Sequence, residues 1–403
     1  MSLKKISFRT LLSPCSLLIC TWILYSFHWF EVAPGSTIDS LANPLLAFNL
    51  VVSLYIIFGP LYKQHLPLYF NAVKVLLIWF SIYGIIAIVL GGEVYSQHGN
   101  LSPGSYLIGI LRSFLPMYAF YYFTKRGLLN DAMMKVWFVV LLLVFIYFNL
   151  SFSAIKMLDS NRDGFTNNLG YLFASLIPFV YFFNKKIIQI GLLVVLMAFV
   201  VLSMKRGAIL VGVLATLLYV FWTFKNAKGY QWGLAILAFA IVGFMAAHYL
   251  EMLYEDNAYF QMRIESTLEG DSSNRDLISS SLIHWYLYDA NIFEKLFGAG
   301  ADATLRVYGL FAHNDWLEIM VDQGAMGIII YLWYWFMFYK NNKKFAKGSL
   351  EYMVLTTILV TCFSRCFFSM SYNVIPISTS LLMGYCLAQY KNKNQTLNIV
   401  GNE

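Results

Sequence analysis

Charge is what this sequence has least of. Only 12% of its 403 residues are Asp, Glu, Lys or Arg, about half the roughly 25% of a soluble globular chain. With 59% hydrophobic residues and a mean hydropathy of +0.64, the chain cannot supply a soluble surface. The net charge of +7 does not point to nucleic acid, because no helix or arm concentrates it. Cysteine is scarce too. Cys15, Cys20, Cys362, Cys366 and Cys386 all lie inside apolar runs, which argues against a disulfide framework or a zinc site. They read as small buried hydrophobes. No P-loop or dinucleotide fingerprint is present. Asp276, Asp289, Asp302 and Asp315 are not paired with histidines at ligand spacing, so no metal and no cofactor is expected.

What the chain has instead is long apolar runs, repeated along its whole length. Segments long enough to cross about 30 Å of hydrocarbon fall at 11–30, 41–60, 69–91, 104–123, 134–153, 166–184, 187–204, 207–224, 231–250, 315–338, 351–370 and 373–390. The expected fold is therefore all-α: one polytopic membrane domain, 1–403, of about twelve transmembrane helices. The first run follows Lys4, Lys5 and Arg9 like a signal peptide. At about 20 residues it is nearer a spanning helix, and it is read as an uncleaved span.

Positive charge sets the orientation. With the N-terminus inside, the inside loops hold Lys63; Lys125, Arg126 and Lys135; Lys185 and Lys186; Lys225 and Lys228; and Lys340, Lys343, Lys344 and Lys347. The tail adds Lys391 and Lys393. Both termini are thus expected in the cytoplasm. The segment 251–312 becomes a large exoplasmic loop that is rich in aromatics and rests partly on the membrane surface. Within it, Ile278, Leu282 and Trp285 fall on one face of a short amphipathic helix, with Ser273 and Asp276 at capping-box spacing.

This topology leaves basic residues where the bias disfavours them. Arg162, Lys205, Arg206, Arg263, Arg275 and Arg306 fall on the exoplasmic side, and Arg112 and Arg365 fall within spans. Arginine at bilayer depth costs at least about 2.5–3.5 kcal/mol on insertion scales. Each has an ordinary reading: Arg206 as a snorkelling helix end, Arg275 as a solvated loop charge, Arg162 as a partner of Asp159 or Asp163, Arg112 and Arg365 as partners of buried carbonyls. Gathered on one face, they suit a phosphate pocket, because guanidinium matches phosphate bidentately. His313 opens His313-Asn314-Asp315-Trp316, where Asn314 or Asp315 suits a helix N-cap. The helix dipole there favours neutral imidazole, a candidate general base. An interfacial histidine without chemistry fits the same position. Gly324 and Gly327 put small residues on one helix face, which suits close packing.

Three patches resemble a known family. Arg162-Asp163-Gly164-Phe165-Thr166-Asn167-Asn168 is similar to an arginine-glycine-phenylalanine-asparagine-proline-asparagine patch, without its proline. Ser203-Met204-Lys205-Arg206-Gly207 is similar to a serine-arginine-glycine turn. The third runs from Ser273-Asn274-Arg275, through Leu296-Phe297-Gly298-Ala299-Gly300, to His313-Asn314, Gly324 and Gly327. In this order, on a twelve-span plan, they resemble the O-antigen polymerase and O-antigen ligase superfamily of bacterial membrane glycosyltransferases. The resemblance implies an enzyme of the bacterial inner membrane that carries out an inverting, metal-independent glycosyl transfer. The donor would be an oligosaccharide on undecaprenyl diphosphate. Arg162, Arg206 and Arg275 would hold the diphosphate, with Lys205, Arg263 and Asn314 as accessories, and His313 would deprotonate the attacking hydroxyl. A polymerase extends another lipid-linked repeat unit of O-antigen or capsule, alongside a chain-length regulator and a flippase. A ligase hands the chain to lipid A core. The polymerase is the preferred expectation. A flippase or other transporter is the alternative of another class; its marks, repeat symmetry and broken midplane helices, are not evident in the sequence.

Overall fold

The computed structural model describes residues 13–29, 37–91, 94–96, 99–158, 168–203, 205–225 and 275–390, with the single positions 248, 251, 255 and 265. The expected span 231–250 and most of the loop start fall outside the described residues, as do Arg162, Arg263, Ser273 and Asn274.

The regular structure among the described residues is helical, apart from one hairpin formed by β1 (Val94–Ser96) and β2 (Gly99–Leu101). Before the hairpin come α1 (Pro14–Trp29), α2 (Ala42–Phe58) and α3 (Leu68–Leu90). After it come α4 (Ser105–Lys125), α5 (Asp131–Leu158), and α6 (Leu169–Leu176), which tightens into a 3₁₀ turn over Ile177–Phe182. Then follow α7 (Lys186–Leu202) and α8 (Arg206–Phe224). The described part of the long loop holds α9 (Arg275–His284), α10 (Ile292–Phe297) and α11 (Ala303–Tyr308). The chain closes with α12 (Asp315–Asn342), α13 (Leu350–Arg365) and α14 (Ile377–Ala388).

Among the described residues, four helices are long and apolar enough to cross a membrane: Leu68–Leu90, Asp131–Ser151, Arg206–Thr223 and Asp315–Asn342. Five shorter apolar helical segments sit on other expected spans. The two faces of α3 show what solvent they meet. One face buries Tyr69, Val73, Leu76 and Phe80. The other exposes Ile78, Ile82, Ile85 and Val89, the last at 77%. A helix apolar all round, with one face unpacked, belongs against lipid rather than water. This is a helical membrane protein. Its interior is largely aromatic, with Phe70 against Tyr121 at 4.8 Å and Tyr69 against Phe338 at 4.9 Å between ring centroids.

The amphipathic helix expected near 275 is α9. It buries Ile278 and Leu282 in a small cluster with Ala303, Ala312 and Val321, and Trp285 packs against it. Next along the chain, Asn291 caps α10. Its side chain accepts from Phe293 N at 2.9 Å and Glu294 N at 3.1 Å, while Glu294 reaches back to Asn291 N at 2.8 Å. That reciprocal box satisfies backbone donors the helix start would otherwise leave open.

One expectation is corrected here: a span is interrupted. At Gly324, φ is 64° and ψ is −161°, so α12 is two helical pieces joined at a break. The cause is the 296–300 segment, which crosses at the break. Ala299 N donates to Val321 O at 2.9 Å and Gly300 N to Asp322 O at 3.0 Å. These bonds take carbonyls that a continuous helix would have used itself. A Cβ on Gly298 would stand 2.2 Å from the carbonyl carbon of Asp322, and one on Gly324 would stand 2.6 Å from Gly298 N. Gly298 and Gly324 thus answer each other, backbone against backbone.

Carboxylates pin the same loop. Asp322 Oδ1 accepts from Ala303 N at 2.8 Å, and Glu318 accepts from Thr304 Oγ1 at 2.6 Å and Ala312 N at 2.5 Å. Asp302, beside them, is 8% exposed and has a left-handed backbone with φ 53°. Burial raises its carboxyl from 3.8 to about 6, against a smaller pull downward from Arg306. A folded-state value above the unfolded one favours folding fully below about pH 4, and that contribution is lost as pH rises through about 6. Asp302→Asn should therefore flatten the fall in thermal stability between pH 5 and pH 7.5 by about 1.4 kcal/mol, since asparagine also tolerates the left-handed backbone. An unchanged slope in detergent-solubilised protein would contradict this.

Candidate functional site

A cavity of about 440 Å³ opens where the ends of α1, α4, α6, α8, α9 and α13 converge. It is within the range of small-molecule sites. Arg112, Lys205, Arg275, His313 and Arg365 line it, and none of the described residues that line it is Asp or Glu. Aromatic and aliphatic side chains, Trp22, Tyr25, Phe145, Leu169 and Leu172, line it as well, and Tyr25 Oη accepts from Arg112 Nη1 at 3.5 Å. Charge of one sign beside apolar side chains suits an amphipathic anion.

One segment organises the cationic wall. It is the connection from α13 to α14, whose Ser369, Met370, Val374 and Pro376 also line the cavity. Its carbonyls take the guanidinium groups one after another. Phe368 O accepts from Arg275 Nη1 at 3.1 Å. Met370 O accepts from Arg365 Nη2 at 3.1 Å and Val374 O from Arg365 Nη1 at 3.4 Å. Asn373 O accepts from Arg112 Nη2 at 3.2 Å. A guanidinium has five N–H donors. The carbonyl bonds use one of these on Arg275 and two on Arg365. Arg365 also lies 4.3 Å over the Tyr171 ring, a stacking that stiffens it and helps offset its desolvation.

The turn between α7 and α8 fits against this wall through a missing side chain. A Cβ on Gly207 would stand 2.2 Å from Tyr171 Oη and 2.8 Å from a Phe368 ring carbon. Only glycine lets the Ser203–Gly207 turn press onto Tyr171 and bring Lys205 to the cavity. Arg206, one residue on, is exposed and is not on the lining.

His313 sits at the entry to α12. Asn314, after it, is the N-cap: its Oδ1 accepts from Trp316 N at 2.9 Å and Leu317 N at 3.3 Å. His313 is exposed, lines the cavity and has a left-handed backbone with φ 52°. That conformation is uncommon for a residue with a Cβ, and it marks a turn that carries a ring out of the helix line. Asn314 Nδ2 in turn donates to Phe367 O at 3.1 Å, and Asp315 N to Cys366 O at 2.8 Å. The histidine and the arginines are thus tied to the same connection.

Of the residues nominated from sequence, His313, Arg275 and Lys205 come together, and Asn314 holds the first of them in place. Arg206 lies off the wall, and Arg162 and Arg263 lie outside the described residues. Sequence reasoning noted Arg112 and Arg365 but did not assign them to the site; they bond carbonyls and line the cavity as well. It missed the 366–376 connection and Tyr171. The signal for the connection was legible: Ser369, Ser371, Tyr372 and Asn373 ahead of Pro376 make a polar stretch between two apolar runs. Tyr171 carried no signal, since it is one aromatic in an apolar helix. No protein-family model matches this chain, and no curated protein matches it either.

Proposed function

We propose that this chain is a repeat-unit polymerase for a bacterial surface polysaccharide, O-antigen or capsule. It crosses the inner membrane about twelve times, with both ends cytoplasmic and the cavity opening outside. Its donor is an oligosaccharide on undecaprenyl diphosphate, and its acceptor is a hydroxyl of another lipid-linked repeat unit. The observation that carries the reading is the cavity itself: among its described lining residues are three arginines, a lysine and a histidine, no carboxylate, and a set of aromatic and aliphatic side chains. A diphosphate on an isoprenoid chain has the complementary charge and polarity.

The chemistry follows from the residues. The acceptor hydroxyl oxygen attacks the anomeric carbon of the donor from the face opposite the diphosphate. The new C–O bond forms as the bond to the diphosphate oxygen breaks. The electron pair leaves with the diphosphate, and the hydroxyl proton passes to the His313 imidazole. Arg275, Arg365, Arg112 and Lys205 stabilise the charge that grows on the leaving group. Such fixed donors are often the largest single contribution to rate.

Polysaccharide gels of a deletion strain test this. Loss of every ladder rung beyond one repeat, restored by the wild-type chain, is the expected result. Loss of the first repeat from lipid A core as well would make the chain a ligase. An intact ladder would overturn both.

The sidedness has its own test. Lys125 Nζ reaches Tyr390 O at 3.5 Å, and Lys344 lies 5.5 Å over the Tyr390 ring. The basic ends of α4, α12 and α14 therefore meet at one end of the bundle. The cavity is at the other end of α12, where His313 lines it. Reporters fused near Lys125 or Lys343 should read cytoplasmic, and those at 286–308 exoplasmic. A cytoplasmic reading for 286–308 would put the cavity on the side where lipid-linked units are not polymerised.

A further inference from the structure

The network beneath the cavity converges on one buried carboxylate that does not line it. Asp315 is fully buried. Its backbone N–H holds Cys366 O at 2.8 Å, at the start of the connection that carries the arginines. Its Oδ1 accepts from Ser371 N at 2.6 Å, farther along the same connection. Its Oδ2 accepts from Ser371 Oγ and, at 2.7 Å, from Tyr331 Oη on the far piece of α12. Between these two anchor points lie Phe368 O and Met370 O; Asn373 O and Val374 O follow directly. These four carbonyls orient Arg275, Arg365 and Arg112.

Chemistry selects a carboxylate here. Three donors converge on two oxygens, and every partner presents a hydrogen. An amide would offer one oxygen and turn N–H donors toward the Ser371 donors. A buried charge is tolerated when hydrogen bonds and a helix N-terminus replace its hydration, and Asp315 has both.

We propose that Asp315 is a positioning residue: by clamping Cys366 and Ser371 it holds the 366–374 segment in the shape that aims Arg112, Arg275 and Arg365 into the cavity. The anchoring stands on geometry alone. That the aimed arginines receive a diphosphate rests on the proposed function.

The test uses the full chain purified in detergent, with two readouts: hydrogen exchange and affinity for inorganic pyrophosphate. Asp315→Asn should speed amide exchange across 366–376 by about tenfold while leaving 326–340 unchanged, and should weaken pyrophosphate binding by about tenfold. Ser371→Ala should reproduce both effects in milder form. The double variant should be no worse than Asp315→Asn, because both changes cut the same bonds. Should Asp315→Asn fail to fold, Ser371→Ala against Tyr331→Phe decides. Ser371→Ala must loosen the connection and weaken binding, whereas Tyr331→Phe, which cuts the bonds to Asp315 Oδ2 and Cys366 Sγ but leaves both Asp315–Ser371 bonds in place, must weaken binding less than Ser371→Ala does. Wild-type exchange across 366–376 in the variants would overturn the proposal, as would a loosened connection with unchanged pyrophosphate affinity. A wild-type chain that does not bind pyrophosphate would contradict the proposed function instead, and the exchange rates alone would then decide the role of Asp315.

Discussion

Arg275→Ala and Arg365→Ala are each expected to lower polymerisation by about 10²–10³, with the protein still present in the membrane at near-normal level. Both guanidinium groups line the cavity, and none of its described lining residues is a carboxylate. In the proposed reaction, removing one deletes charge where the leaving diphosphate gains it. Arg275→Lys and Arg365→Lys should also be impaired, because an ammonium cannot reproduce a planar fork held on one side by carbonyls and presented on the other to phosphate. Arg365→Lys loses in addition the stack on Tyr171. His313→Ala should fall in the same range if its imidazole takes the hydroxyl proton. Arg206→Ala should cost less than Arg275→Ala, since Arg206 is exposed and off the lining. Lys343→Ala is the control. Its ammonium lies over the Tyr339 ring at 4.5 Å, at the end of α12 remote from the cavity. Ladder length in a complemented deletion strain, with membrane level measured alongside, reads all of these. Equal damage from Lys343→Ala and Arg275→Ala would mean the losses come from insertion rather than chemistry.

Gly298→Ala and Gly324→Ala should destabilise the fold by more than about 3 kcal/mol each. Both have positive φ, 77° and 64°. At each, a methyl would land on backbone atoms closer than van der Waals contact allows, and backbone cannot swing away as a side chain can. Relief would require the 296–300 segment to leave α12, breaking its bonds to Val321 O and Asp322 O. Gly348→Ala separates strain from collision. Its φ is 87°, but nothing stands within 4 Å of the added carbon, so it should cost only about 1–2 kcal/mol. Thermal unfolding in detergent measures the difference. Gly298→Ala and Gly348→Ala melting together would show that the close approach does not hold the loop.

Much of this architecture was legible from periodicity and charge. Apolar runs located the helices because length and hydropathy alone decide where a chain can lie in lipid. Of the odd basic residues, Arg112, Lys205, Arg275 and Arg365 line the cavity, whereas Arg206 and Arg306 do not. His313 and Asn314 were legible as a helix entry because a cap has a local signature. Other features depended on tertiary packing. The break in α12 is caused by Gly298, 26 positions earlier, so nothing within the helix announced it. Gly324 and Gly327 read as a smooth packing face, whereas Gly324 meets a crossing backbone. Asp315 read as a possible cap. Its partners Ser371 and Tyr331 lie 56 and 16 residues away, and its part in the site follows from them. Arg206 was nominated, with Lys205 as an accessory, because Ser203–Gly207 resembles a serine-arginine-glycine turn, but the direction of the turn at Gly207 decides which of two neighbours faces the cavity.

The central claim is that the cationic cavity moves a glycan from one polyprenyl diphosphate to another. It is tested most directly with the purified chain in liposomes, given lipid-linked repeat units and no other protein. Products are resolved by mass, with and without a metal chelator. The account predicts glycans longer by whole repeats, one free polyprenyl diphosphate released per repeat added, inverted stereochemistry at the new linkage, and the same products with chelator present. Intact single-repeat donor after incubation with active wild-type protein, or repeat units moved across the bilayer without growing, would contradict it.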